Sequence, residues 1–137
     1  MKKYLIPVLI AALVLTGAYR TYNYFNGPKM IEGVISRSVA ESGKPLSPAS
    51  QFSPEDTVYF SAKGKKFLTK KADVVWYEGK VATENRFLVE EDIDINEEGY
   101  FTAKLEVPEG LEKGRYSVSI YNADDDIIQM HREFIVK

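Results

Sequence analysis

Two kinds of hydrophobic pattern divide this 137-residue chain. Aliphatic side chains run from Tyr4 to Ala18 with no charge among them, whereas apolar and polar residues alternate in short runs through most of the remainder. An unbroken apolar run at the N-terminus predicts a membrane-directed helix, and alternation with a period of two predicts strands with one buried face. We therefore predict a signal peptide or transmembrane anchor at 1–25, a linker at 26–29 and a β domain at 30–137.

The second part contains seven runs with the composition of strands. They are Met30–Val39, Thr57–Ala62, Ala72–Tyr77, Arg86–Ile95, Tyr100–Val107, Gly114–Asn122 and Ile127–Val136. Turn-forming residues separate them, and the segments Ser47–Ser50 and Ser53–Asp56 are predicted loops. Strands without helices between them predict a sandwich, and about 108 residues is the size of one immunoglobulin-like domain. The predicted fold is all-β: a single immunoglobulin-like antiparallel β-sandwich of about seven strands, preceded by an N-terminal hydrophobic helix.

Alternation also predicts which side chains form the core. The structural residues chosen on this basis are Phe60, Trp76, Leu105, Tyr116, Val118 and Phe134. The inward face of the fourth run is predicted to hold Phe87, Val89, Ile93 and Ile95. In the last run Ile128 is predicted to share the buried face of Phe134. Tyr116 follows a loop at the start of a strand, which predicts a tyrosine corner, a buried ring whose hydroxyl bonds nearby backbone.

Several short motifs occur in an order that resembles a known group of proteins. They are Phe52–Tyr59, Val74–Tyr77, Gly99–Phe101, Pro108–Leu111 with Gly114–Val118, and Phe134–Val136. Together they resemble bacterial extracytoplasmic immunoglobulin-like β-sandwich domain proteins, in which a single domain often follows an N-terminal anchor or signal. The resemblance spans Met30 to Lys137 and implies the fold and a location outside the cytoplasm. That group has no shared catalytic activity, so the resemblance implies no catalytic residue.

The N-terminal segment has features of both an anchor and a cleaved signal. Lys2 and Lys3 precede the apolar run, and positive charge on that side favours a cytoplasmic N-terminus with the domain outside. Small residues ending at Ala18 fit a cleavage site, and cleavage there leaves a secreted or periplasmic domain. Four aromatic residues in 19–25 resemble the interfacial belt of a membrane-spanning helix, which favours an anchor in the cytoplasmic membrane. A helix from Tyr4 to Phe25 is about 33 Å long, enough to cross the bilayer.

Composition excludes several kinds of chemistry. The lack of cysteine excludes disulfides, thiolate zinc sites, cysteine nucleophiles and iron–sulfur clusters, and a single histidine excludes a histidine-rich metal site. The net charge is −2, but residues 1–26 hold three basic and no acidic residues, so residues 27–137 hold 15 basic and 20 acidic ones, a charge of −5. An acidic domain does not favour nucleic acid as a partner, and no motif predicts a cofactor.

Two acidic segments contain oxygen ligands of the kind that calcium prefers. The candidates are Asp92 and Asp94 in the fourth run, Asn96 directly after it, and Asp124, Asp125 and Asp126 in the last turn. In an EF-hand loop counted from Asp92, Glu97 takes the place of the required glycine and Ala103 that of the terminal glutamate. A solvated strand face and an aspartate-rich turn therefore explain the two segments better than a metal site does.

Five lysines lie close together between the second and third runs. They are Lys63, Lys65, Lys66, Lys70 and Lys71. Such a cluster can contact an anionic surface, such as lipid headgroups or an acidic partner, or it can be a solvated loop that protects a strand edge. Its charge opposes that of the acids in Glu84–Glu98, which predicts a dipolar domain capable of head-to-tail self-association.

No grouping of side chains predicts catalysis, since the sequence has neither a nucleophile-elbow serine nor a glycine-rich phosphate loop. We therefore expect a non-catalytic, extracytoplasmic, membrane-anchored domain that acts through contact with an envelope protein or with copies of itself. The alternative is a ligand-binding module for glycan or calcium that uses acidic loops and exposed tyrosines. A bare hydrophobic edge favours the first hypothesis, and an aromatic groove on one sheet face favours the second.

Overall fold

The computed structural model describes residues 5–26 and 29–137, and it gives only the backbone of 23–26. Part of the predicted linker, Gly27 and Pro28, therefore lies outside the described residues, as do the leading lysines.

Helix α1 is the first element and spans Leu5–Asn26, 22 residues, or about 33 Å. Pro7 lies in its first turn, where a missing backbone N–H breaks no helical hydrogen bond. The hydroxyl of Thr16 donates to the carbonyl oxygen of Ala12 at 2.8 Å, so this polar group is satisfied within the helix. The segment Leu5–Tyr22 has a mean hydropathy of 1.5 and none of it is buried. The helix thus has the length and composition of a membrane span, which a signal sequence also has.

The rest of the described chain is a two-sheet sandwich. Its strands are β1 Met30–Val39, β2 Pro45–Pro48, β3 Gln51–Phe52, β4 Val58–Gly64, β5 Lys71–Glu78, β6 Arg86–Asp94, β7 Tyr100–Leu105, β8 Gly114–Asn122 and β9 Ile127–Val136. One sheet has the order β2-β1-β4-β7 and the other β3-β9-β8-β5-β6. Every strand pair is antiparallel except β3 with β9. The predicted all-β sandwich behind an N-terminal helix is confirmed.

Two short strands were not among the predicted runs, and because β2 overlaps Ser47–Ser50 the loop prediction for that segment is wrong in part. Ser47 and Pro48 belong to β2, which pairs with β1 as an edge strand, where proline breaks no ladder hydrogen bond. β3 is held by Arg37, whose guanidinium donates to the carbonyl oxygen of Gln51 at 2.7 Å and lies 5.0 Å from the ring centre of Phe52. A local hairpin with β1 therefore forms β2, whereas β3 depends on its pairing with β9, more than 80 residues further along the chain.

The core lies between the sheets, and its centre is aromatic. All six structural residues predicted from alternation are buried: Phe60, Trp76, Leu105, Tyr116, Val118 and Phe134. Phe134 stacks on Tyr116 with ring centres 5.3 Å apart and meets Phe52 and Trp76 edge to face at 5.6 and 6.2 Å. The indole N–H of Trp76 donates to Glu90 Oε1 at 3.4 Å, so this buried donor has a partner.

The predicted inward face of β6 is wrong in its first half. Phe87 and Val89 are 39% and 43% exposed, and Leu88 packs against the core instead. Glu90 pairs with Val74 and Ile93 with Ala72, so β6 has one residue more than β5 between these pairs, which is a β-bulge. Within the bulge Asp92 has a φ of 53°. The extra residue reverses the alternation, so Ile93 and Ile95 do pack against the core as predicted.

A second irregularity corrects the last strand. Ile128 is 42% exposed, although Phe134 and Val136 on the same predicted face are buried. Met130 pairs with Ile120 and Ile128 pairs with Tyr121, so one residue of β9 is skipped and the two halves of the strand differ in phase. The alternation therefore predicts the buried side chains correctly after the bulge, at Phe134 and Val136, but wrongly before it, at Ile128.

The two ends of the sandwich carry different loops. At the near end, where β1 begins, the backbone N–H of Lys65 donates to the carbonyl oxygen of Lys29 at 2.9 Å. The near-end loops are 65–70, 95–99 and 123–126. The far end carries the turn after β5 and the loop from β7 to β8, and β5 spans the roughly 23 Å between the ends at 3.3 Å per residue.

Candidate functional site

A groove of about 280 Å³ opens at the far end, between the end of β5, the start of β6 and the loop from β7 to β8. We call it the far-end groove. Its lining residues are Glu78, Phe87, Val107, Glu109, Gly110, Leu111, Glu112 and Tyr116. Apolar side chains thus form its walls, and three carboxylates lie among them.

Backbone hydrogen bonds hold the loop that forms one wall of the groove. The N–H of Gly110 donates to the carbonyl oxygen of Val107 at 2.9 Å, and the N–H of Leu111 donates to the carbonyl oxygen of Pro54 at 2.8 Å. Gly110 has a φ of +87°, a conformation that L side chains rarely adopt. A turn fixed at both points gives a groove that exists before any partner binds.

Tyr116 connects this loop to the core. Its ring is 3% exposed, it lies edge to face with Phe87 at 6.0 Å between ring centres, and its hydroxyl donates to the carbonyl oxygen of Glu112 at 2.6 Å. This is the tyrosine-corner geometry that the sequence predicts. The corner holds the Glu112 segment against the sheet that carries Phe87.

The far-end groove is electronegative. Glu78, Glu109 and Glu112 are exposed, and the four ion pairs found among the described residues involve other acids. Burial raises the pKa of the Tyr116 phenol, and the carboxylates of Glu78 and Glu112 raise it further. The groove therefore suits an apolar side chain accompanied by a positive charge.

Removing the Tyr116 hydroxyl tests how far it fixes the groove. We expect Tyr116→Phe to lower the free energy of unfolding by about 0.5–1.5 kcal/mol, because one buried hydrogen bond is lost while the ring packing is kept. Denaturant unfolding of the full chain in detergent, followed by Trp76 fluorescence, measures the change. Tyr59→Phe is the matched control, since that ring is half-buried and its hydroxyl has no hydrogen bond to the described residues. Equal stability of Tyr116→Phe and wild type would show that the corner contributes nothing.

Of the calcium candidates Asp92, Asp94 and Asn96, the last two have other partners. Asp94 lies 3.6 Å from the ammonium of Lys71, and the side chain of Asn96 accepts from the N–H of Tyr100 and donates to the carbonyl oxygen of Ser42. Asp92 is exposed on the bulge. The oxygen atoms therefore point to separate partners.

The candidates of the last turn are used in the same way. Asp125 accepts from the backbone N–H of Ile127 and the side-chain amide of Asn122, both at 3.0 Å, and from the ammonium of Lys29 at 3.0 Å. The hydrogen bond from Lys29 is the largest cause of the lowered pKa of the Asp125 carboxyl, with that from Ile127 next. Asp124 and Asp126 are exposed. Among the described residues, no three histidine, aspartate or glutamate side chains are placed to hold a metal ion.

The lysine cluster lies between the two acidic segments at the near end. The N–H of Ile95 donates to the carbonyl oxygen of Lys70 at 2.9 Å, and the N–H of Ala123 donates to that of Lys71 at 3.1 Å. Lys63 is the second-last residue of β4, and Lys65 and Lys66 lie in the loop that follows. Loops from neighbouring strands thus bring the lysines to the same end as Asp94–Glu98, whereas Glu84 lies at the far end before β6 begins. Head-to-tail self-association stays a prediction.

The tyrosines expected to be exposed are not. In the described sandwich Tyr59, Tyr100 and Tyr121 are half-buried, and Tyr77 and Tyr116 are buried. The hydroxyl of Tyr77 lies 2.8 Å from Ser119 Oγ and 3.1 Å from that of Tyr121, so these polar ends bond to one another. Rings in these positions offer little flat surface on which a sugar could stack.

Sequence reasoning missed two features that the structure shows. The far-end groove joins three segments that are separate in sequence, so no local motif marks it. Phe67 is 85% exposed within the lysine cluster, and a large aromatic residue among five lysines was a signal that could have been noticed.

Comparison with known proteins places the fold. No protein-family model matches the chain, and no curated protein matches it. It is similar to the crystal structure of an immunoglobulin-like protein from Pseudomonas aeruginosa, with a TM-score of 0.52 and 14% sequence identity, over 82% of this chain and 99% of that one. Similarity at this identity concerns the fold and not the activity. The immunoglobulin-like character of the predicted sandwich is confirmed.

Proposed function

We propose that this chain is a non-catalytic, extracytoplasmic immunoglobulin-like domain that is held in the cytoplasmic membrane by α1 and acts through contact with another envelope protein. The observation that carries the proposal is the far-end groove, together with the exposed Phe87 and Val89 on the edge strand β6. This is the bare hydrophobic edge by which we distinguish protein contact from glycan binding.

Retention of the helix is supported by its extent. α1 continues for eight residues beyond Ala18, through Arg20 and to Asn26. The hydroxyl of Thr21, within this extension, donates to the carbonyl oxygen of Gly17 at 2.9 Å, so it needs no water. A helix that passes the cleavage position without interruption and ends in an aromatic segment fits a span with an interfacial belt.

The partner we propose is a protein segment that presents an apolar side chain next to lysine or arginine. The apolar side chain would lie against Phe87, Val107 and Leu111, and its neighbouring cation would lie near Glu78, Glu109 or Glu112. Opposite charge at the rim speeds association, and burial of the apolar side chain supplies the affinity.

Charge reversal at the groove tests this proposal. We expect the double variant Glu78→Lys with Glu109→Lys to lose about tenfold or more in partner recovery, since repulsion replaces attraction at the rim. The full chain is captured from native membranes by a tag at the N-terminus, because the C-terminal strand ends at Val136 beside Gly114, at the far end.

The matched control is Glu97→Lys with Glu98→Lys, which makes the same charge change in an exposed turn at the near end. Its partner recovery should equal that of wild type. A protein that both variants recover equally does not use the groove, and that outcome would contradict the proposed function.

A further inference from the structure

We infer that the near end of the sandwich rests on the surface of a phospholipid bilayer, with the ring of Phe67 inserted among the headgroups. This inference rests on the membrane anchor proposed above and adds to it a second membrane contact, made by the domain itself.

The first observation is where the exposed apolar side chains lie. Seven large hydrophobic residues of the described sandwich are exposed. Four of them are at the near end: Ile31, Phe67, Ile127 and Ile128. Two others, Phe87 and Val89, belong to the β6 edge already described. An apolar group of this kind in water marks a contact surface.

The second observation is that the turn bearing Phe67 is ordered. The backbone N–H groups of Leu68 and Thr69 both donate to the carbonyl oxygen of Lys65, at 2.8 and 3.0 Å. Thr69 is buried, and its hydroxyl donates to Asn122 Oδ1 at 3.2 Å. The turn thus buries a threonine and leaves the neighbouring Phe67 85% exposed. Poor packing of a loosely held turn does not explain the exposed ring, because hydrogen bonds to Lys65 and Asn122 fix the turn on either side of Phe67.

The third observation is chain connectivity. Lys29 is bonded to this turn through its carbonyl oxygen, and three peptide steps separate it from Asn26, where α1 ends. Three steps reach at most about 11 Å. If α1 spans the bilayer, the loop that carries Phe67 is therefore the part of the domain next to the headgroups.

Charge indicates how the contact is made. The near end holds six lysines, namely Lys29 and the five of the cluster, and it holds more acids than lysines: Asp94, Glu97, Glu98 and Asp124–Asp126 in its loops, with Glu32, Asp73 and Asp92 close by on the strands. Two ion pairs, Lys29–Asp125 and Lys71–Asp94, join the two groups. An end without net positive charge has no strong attraction to anionic lipid. Insertion of Phe67 at headgroup depth, where aromatic rings are favoured, is the contact we infer.

Tryptophan fluorescence of the full chain in lipid vesicles tests the inference. The variant Phe67→Trp is reconstituted in phosphatidylcholine vesicles, with and without bromine on the acyl chains as a quencher. We expect emission from position 67 to move to shorter wavelength and to be quenched by the brominated lipid. Wild type contains Trp76 as its only tryptophan, buried in the core, and supplies the background.

Phe87→Trp is the matched control, since that ring is also exposed but lies at the far end. Its emission should not be quenched. Equal emission changes at positions 67 and 87 would overturn the inference, and so would a shift at position 67 without quenching, which would indicate burial against protein.

Flotation of the vesicles separates the two proposals. A chain that does not float lacks the anchor, which overturns both, whereas a chain that floats without quenching overturns only the near-end contact.

Discussion

Replacing Phe134 by alanine is expected to lower the free energy of unfolding by about 3–5 kcal/mol, the range for removing a large buried aromatic ring. Phe134 is 1% exposed and contacts three other rings, those of Phe52, Trp76 and Tyr116. These rings come from separate parts of the chain, so the cavity left by alanine cannot be filled by the movement of one neighbouring residue. For a single domain without disulfides, a loss of this size removes a large share of its stability.

Denaturant unfolding of the full chain in detergent, followed by the fluorescence of Trp76, measures this loss. Phe134→Leu should cost less than Phe134→Ala, because part of the cavity stays filled. Phe67→Ala is the matched control, since it removes the same side chain from an 85% exposed position. We expect it to change stability by no more than about 0.5 kcal/mol. A cost for Phe134→Ala as small as that of the control would mean that the aromatic cluster does not hold the sheets together.

The sequence predicted the bounds of the long strands well. β1, β8 and β9 have the predicted bounds, because each is a long run of strand-forming residues between turn signals. The prediction of which side chains face the core failed where the backbone departs from regular extension. The bulge at Asp92 reverses the phase of β6, and β3 consists of two residues that exist only because β9 and Arg37 hold them. Neither event has a hydrophobic signature in the local sequence.

The candidate site was less predictable than the fold. The calcium and lysine candidates were chosen because they are adjacent in sequence, yet the structure gives Asp94 and Asp125 separate partners and interleaves the lysines with the acids. The far-end groove is built from Glu78, Phe87 and the loop from β7 to β8, whose proximity depends on strand order. Sequence alone does not determine which loops of a sandwich meet, and in this chain loops make up much of both proposed contact surfaces.

Strand direction also relates the two proposals. β5 separates Lys71 at the near end from Glu78 at the far end by about 23 Å. If the near end contacts the bilayer, the far-end groove faces away from it. The groove is then presented to proteins in the envelope at a height set by one strand length.

Gly43→Ala is expected to lower the free energy of unfolding by about 2–5 kcal/mol, a large effect for the addition of one methyl group at a turn. Gly43 has a φ of +90°, and a Cβ added there would lie 2.7 Å from the Cβ of Tyr100 and 2.8 Å from Asn96 Nδ2. The positive φ alone costs about 1–2 kcal/mol, and overpacking against a well-packed neighbour costs about 1–3 kcal/mol more. The Tyr100 contact cannot be relieved by a change of rotamer, because the atom involved is directly attached to the β7 backbone.

Gly79→Ala separates the two costs. Gly79 has almost the same backbone conformation, with a φ of +94°, but a Cβ added there would come no closer than 3.4 Å to another side chain. We therefore expect Gly79→Ala to show only the backbone cost, about 1–2 kcal/mol, and the difference between the variants in the same unfolding measurement reports the close approach of the β1–β2 turn to β7. If the two variants lose equal stability, the turn can move away from Tyr100 without penalty. The hydrogen bond from Asn96 to Ser42 at 2.7 Å would then not hold the turn in place, and the packing of this turn against β7 would contribute little to the fold.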